Sequence, residues 1–70
     1  MSGRRFYRHS LRQASLANAH LQGADLREAN FREANLSGAN LSGASLWQAN
    51  LQGANLTEVN LTRARLTGLI

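Results

Sequence analysis

Large apolar residues recur at every fifth position of the chain: Phe6, Leu11, Leu16, Leu21, Leu26, Phe31, Leu36, Leu41, Leu46, Leu51, Leu56, Leu61 and Leu66. Two positions ahead of these runs a series of small apolar residues, Ala14, Ala19, Ala24, Ala29, Ala34, Ala39, Ala44, Ala49, Ala54, Val59 and Ala64. The other three positions of each unit are polar or small. A period of five suits neither common element. On an α-helix successive leucines step about 140° around the axis and reach every side. In a flat strand an odd period sends successive leucines to opposite faces. Both series point to one axis only if the chain bends after each short extended unit. Gly23, Gly38, Gly43, Gly53 and Gly68 fall two residues after the central leucine, where a tight turn with φ > 0 wants them.

Units such as Ala24-Asp25-Leu26-Arg27-Glu28, Ala34-Asn35-Leu36-Ser37-Gly38 and Ala54-Asn55-Leu56-Thr57-Glu58 resemble the A(D/N)LXX signature of the pentapeptide-repeat family, over residues 10–68. The resemblance implies an all-β chain, a right-handed quadrilateral β-helix with four units, about twenty residues, in each coil. Residues 11–70 are expected to form about three such coils, stacked about 4.8 Å apart. Arg4 and His9 take positions that point inward in later units, so residues 1–10 are expected to be a degenerate N-terminal cap or a mobile arm.

The chain has 70 residues, which allows one domain, and no cysteine, which excludes disulfides and thiolate metal sites. Its apolar runs are too short for a transmembrane helix, and no apolar stretch follows the basic N-terminus, so no secretory signal is expected and the cytoplasm is the expected location. The net charge of +4 comes wholly from arginine. It suits an anionic partner, whether nucleic acid, an acidic protein or a negatively charged membrane surface.

A coil of about twenty residues stacks each residue on the one a coil earlier, so the outside reads as columns. Tyr7, Arg27 and Trp47 form one, Arg8, Glu28 and Gln48 the next, and Arg12, Arg32 and Gln52 another. The remaining two sides are blander, with Ala17, Ser37, Thr57 beside Asn18, Gly38, Glu58, then Gln22, Ser42, Thr62 beside Gly23, Gly43, Arg63. Arginine and the large aromatics thus gather on two adjacent sides, and Tyr7, Arg8, Arg12, Arg27, Arg32 and Trp47 are the candidate contact face. The competing reading is a stabilising ladder, with Arg27 stacked between aromatic rings and Arg8 paired with Glu28. The asparagines before the leucines, such as Asn35 and Asn55, are expected to form amide ladders between coils. Asp25 is expected to be a solvated or turn-bonded carboxylate.

Chemistry is sparse. His9 and His20 fall on different sides, too few and too far apart for a metal site, and no Ser or Thr has an oriented base beside it. No cofactor, metal or catalytic residue is expected, and the chain reads as a non-enzymatic protein–protein interaction module or accessory structural subunit. The apolar stretch Leu66, Leu69 and Ile70 is a candidate end-to-end interface, since family members are often dimers joined through their C-terminal coils. Its partners are expected to be another protein or larger assembly, or a second copy of itself. An accessory nucleic-acid-binding module using the arginine-rich sides is the alternative. Gyrase-protecting members of the family resemble an acidic rod of duplex-like length; this chain is basic and short, and that activity is not expected.

Overall fold

A computed structural model describes residues 3–69. Every unit is built around one turn. The leucine carbonyl accepts a hydrogen bond from the N–H three residues on, from His9 to Phe6 through to Leu69 to Leu66, at 2.8–3.1 Å. The third residue of each turn has φ between 55° and 74° while the second does not turn positive, which is the type II geometry. The glycines expected at this position are there. So are eight residues with side chains, Arg8, Gln13, Asn18, Glu28, Glu33, Gln48, Glu58 and Arg63. The left-handed conformation costs a residue with a Cβ about 1–2 kcal/mol, and the repeat imposes it on every unit.

Between turns the chain runs straight for too short a distance to make a conventional strand. Its β-contacts are single-residue parallel bridges, each joining residues twenty apart: Arg5–Asp25, Ser10–Asn30, Ser15–Asn35, His20–Asn40, Asp25–Ser45, Asn30–Asn50, Asn35–Asn55, Asn40–Asn60 and Ser45–Arg65. Four bridge columns therefore run along the molecule. Each unit sends two N–H groups towards the next coil. That of the leucine reaches the carbonyl nineteen residues on, at 2.7–2.9 Å, and that of the positive-φ residue does the same at 2.8–3.0 Å. One N–H points back, as from Asn35 to the Ala14 carbonyl at 2.9 Å.

The fifth N–H of the unit explains the asparagines. In place of an amide ladder between coils, Asn30, Asn35, Asn40, Asn50, Asn55 and Asn60 each turn the side-chain oxygen onto the backbone N–H two residues later, at 3.0 Å. The local bond prevails because the turn aims that N–H at the side chain of its own unit, and a backbone donor without a partner is costly. Asp25 does likewise for the N–H of Arg27, at 3.2 Å, and is turn-bonded as expected.

Leucines and alanines face inward. The fully enclosed core runs from Leu21 to Leu51, with Phe31 its largest member and Leu26, Leu36, Leu41 and Leu46 wholly buried. Phe6, Leu11, Leu16, Leu56, Leu61 and Leu69 pack against it and are only partly buried. From residue 3 the segment preceding Leu11 keeps the turn and the bridging register of the rest. Arg4 and His9, at inward positions, are exposed. The His9 and Phe6 rings meet in a T-shaped contact, centroids 5.7 Å apart.

Candidate contact surface

The twenty-residue register places the candidate residues in columns. The Arg8 N–H donates to the Arg27 carbonyl and the Glu28 N–H to the Trp47 carbonyl, so the turns carrying Tyr7, Arg27 and Trp47 lie directly on one another. The turns carrying Arg12, Arg32 and Gln52 are tied in the same way, through Gln13 and Glu33.

Arg27 is the most constrained of the set. Its Nε and Nη2 each donate to an oxygen of Asp25 at 2.8 Å, a two-pronged fork. Its guanidinium also lies over the Tyr7 ring, 5.0 Å from the centroid. The hydrogen bond from Arg27 holds the Asp25 carboxyl below its usual range against the opposing effect of desolvation, and Asp25 raises Arg27 in return. The Tyr7 hydroxyl donates to Glu28 at 3.4 Å, and Arg8 approaches the same carboxylate at 3.8 Å. Arg12 and the Gln13 amide converge on Glu33, at 3.8 and 3.3 Å. These contacts join neighbouring coils, but all are exposed and individually weak.

Arg32 and Trp47 differ from their neighbours. The backbone N–H of Arg32 is capped by Asn30, while its guanidinium makes no hydrogen bond or ion pair among the described residues. Trp47 is 42% exposed and Tyr7 47%. Leu66 is exposed and Leu69 partly buried, whereas Ile70 lies outside the described residues. Arg5 and Arg65 are absent from the sequence-derived set. They share a bridge column with Asp25 and Ser45, and the available signal was their departure from asparagine at the position before the leucine. Among the described residues no three His, Asp or Glu side chains gather where they could hold a metal ion, and no helix is long and apolar enough to cross a membrane.

A turn every fifth residue and parallel bridging at a fixed register define a β-solenoid built from pentapeptide units. The chain belongs to the pentapeptide-repeat family: the profile described as Pentapeptide repeats matches residues 10–48 and 34–68, with eight copies. Two solved structures are similar to it. One is the pentapeptide repeat protein Rfr23 from the cyanobacterium Cyanothece 51142, 40% identical, with a TM-score of 0.78 over 99% of this chain and 54% of that one. The other is a pentapeptide repeat protein from the Arabidopsis thaliana thylakoid lumen, 32% identical, with a TM-score of 0.75 over 96% of this chain and 57% of that one. The chain thus spans little more than half the length of either. Among curated proteins no relative matches it. The relatives imply a right-handed β-helix, and the family is in general one of non-catalytic repeat proteins.

Proposed function

We propose that this chain is a non-enzymatic interaction module, a quadrilateral β-helix of about three coils that presents Tyr7, Arg8, Arg12, Arg27, Arg32 and Trp47 to another protein. One observation carries the reading. The exposed large hydrophobic residues among those described are Tyr7, Trp47 and Leu66, and the first two share one column with an arginine between them. A fold that directs its leucines inward gains nothing in its core from an exposed indole, and aromatic rings beside arginine are the usual composition of a protein contact hot spot. Within the set, Arg8, Arg12, Arg27 and Tyr7 also hold coils together, which leaves Trp47 and Arg32 as the residues freest to meet a partner. The third exposed residue, Leu66, together with Leu69 and Ile70, is proposed as the contact with a second copy of the chain.

The nucleic-acid reading asks for a stripe of uncommitted cations. Here Arg8, Arg12 and Arg27 face Glu28, Glu33 and Asp25. Of the other arginines, Arg4, Arg32 and Arg63 stand on different columns, and Arg5 and Arg65 share one only at its opposite ends with Asp25 and Ser45 between them, so no continuous stripe forms and the protein reading is preferred. Immobilised chain is tested for partner capture against the double variant Arg12→Glu, Arg32→Glu, with melting curves of both. The expected result is loss of capture with an almost unchanged melting curve. Capture retained by the variant, or salt-sensitive binding to unrelated duplex DNA in place of protein capture, overturns the reading.

A further inference from the structure

The bridges Arg5–Asp25, Asp25–Ser45 and Ser45–Arg65 stack four residues in one column beside the Tyr7, Arg27 and Trp47 turns. In the unit centred on Leu26, the residue before the leucine and the residue after it touch, since Arg27 closes its fork on Asp25. One coil further on, the same two positions hold Ser45 and Trp47. Serine is too short to reach across as Asp25 does, and Trp47 remains 42% exposed. Arg65 stacks on Ser45 in turn, and its guanidinium makes no hydrogen bond or ion pair among the described residues. Ser45 is therefore a small residue in the same unit as an exposed indole, and the next residue of its column is an arginine with no ion pair among the described residues.

Resting on the protein-interaction reading, we infer that Ser45, Trp47 and Arg65 form an exposed contact site for an extended acidic protein segment, one carboxylate pairing with Arg65 and a neighbouring apolar side chain lying on the Trp47 ring. Charge complementarity selects this occupant. Below the contact site Asp25 is already neutralised by Arg27, so the positive charge of Arg65 is not cancelled within its own column. A guanidinium fork pairs with a carboxylate in the planar, two-pronged manner that Arg27 and Asp25 display one coil below. Ser45 leaves room for such a carboxylate, and the indole supplies the apolar contact beside it.

Trp47 is the only tryptophan in the chain, so its fluorescence reports on the contact site directly. The whole chain is titrated with an end-capped peptide of alternating glutamate and leucine, with the corresponding glutamine–leucine peptide, and with single-stranded oligo-dT. The glutamate peptide is expected to shift the Trp47 emission saturably. Binding should weaken about tenfold or more with the glutamine peptide, and equally in Arg65→Gln. Arg63→Gln, on another column, should bind as the natural chain does, and all variants should melt alike. The proposal is overturned if the glutamate peptide gives no saturable shift or the glutamine peptide binds as well. It is also overturned if Arg63→Gln loses as much as Arg65→Gln, or if oligo-dT binds more tightly than the glutamate peptide. Failure here with Arg12- and Arg32-dependent capture intact removes only this contact site; failure of both removes the interaction reading.

Discussion

A single unit has five backbone N–H groups, and the repeat signature is a rule for placing them. In a central unit three go to neighbouring coils and one closes the turn, and where asparagine or aspartate precedes the leucine that side chain takes the last. Asparagine and aspartate suit that position because a short side chain with an acceptor oxygen reaches the N–H two residues on. If the acceptor is what matters, Asn35→Asp should be nearly neutral, whereas Asn35→Ala should cost about 1 kcal/mol, the net worth of one such bond. Denaturant melts of the two variants decide it. An amide ladder between coils predicts that both lose stability, because aspartate has no N–H to offer Asn55. The residue type at this position was legible in the sequence and its partner was not. Stacking at the coil spacing brings the next amide as near as the local backbone, and only the turn geometry shows which of the two is aligned.

On the scale of the turn and its column, the Asp25–Arg27 pair locks a unit and stacks it on the unit one coil earlier through the Tyr7 ring. The Asp25 carboxyl is held below its ordinary range, chiefly by the hydrogen bond from Arg27. A folded-state value below the unfolded one means that Asp25 binds its proton less readily when folded. Its contribution is thus fully present above the unfolded value of about 3.9 and is lost as pH falls through the folded value. The pair is exposed, so the stabilisation is small. In Arg27→Gln the Asp25 carboxyl should titrate at higher pH than in the natural chain, which carboxyl NMR measures directly. An unchanged titration would remove Arg27 as the cause. The columns themselves were predictable once a coil length was adopted. The fork was not, because it joins residues two apart within one unit, whereas a column relates only residues in different coils.

Over the whole molecule, burial falls from the centre outward. Leu46 is fully enclosed, while Leu66, at the same position of a unit four repeats on, is 39% exposed. Leu46→Asp should unfold the chain, at a cost above about 4 kcal/mol for a buried charge without a partner. Leu66→Asp should cost less than about 1 kcal/mol, as at any half-open site. Thermal melts test the pair, and similar losses in both would contradict the burial gradient. Sedimentation of Leu66→Asp tests the proposed second-copy contact in the same experiment. The variant should be smaller in solution than the natural chain, and identical sedimentation of the two would remove that contact.

The sequence by itself determined the turn spacing, the inward series and the family, because a strict period of five leaves one way to bring every leucine to a common axis. It also located most of the positive-φ glycines, since glycine alone pays no steric penalty there. Tertiary structure alone decided the rest. Whether Arg27 belongs to Tyr7, Asp25 or a partner depends on side-chain rotamers at an exposed turn, which no periodicity encodes. Nor does the repeat pattern weigh Ser45 against Asp25 at one position of a column, although only the aspartate holds the arginine two residues on. The period follows from the inward direction of the apolar side chains, which every unit repeats; the surface follows from which few side chains find partners once the coils are stacked.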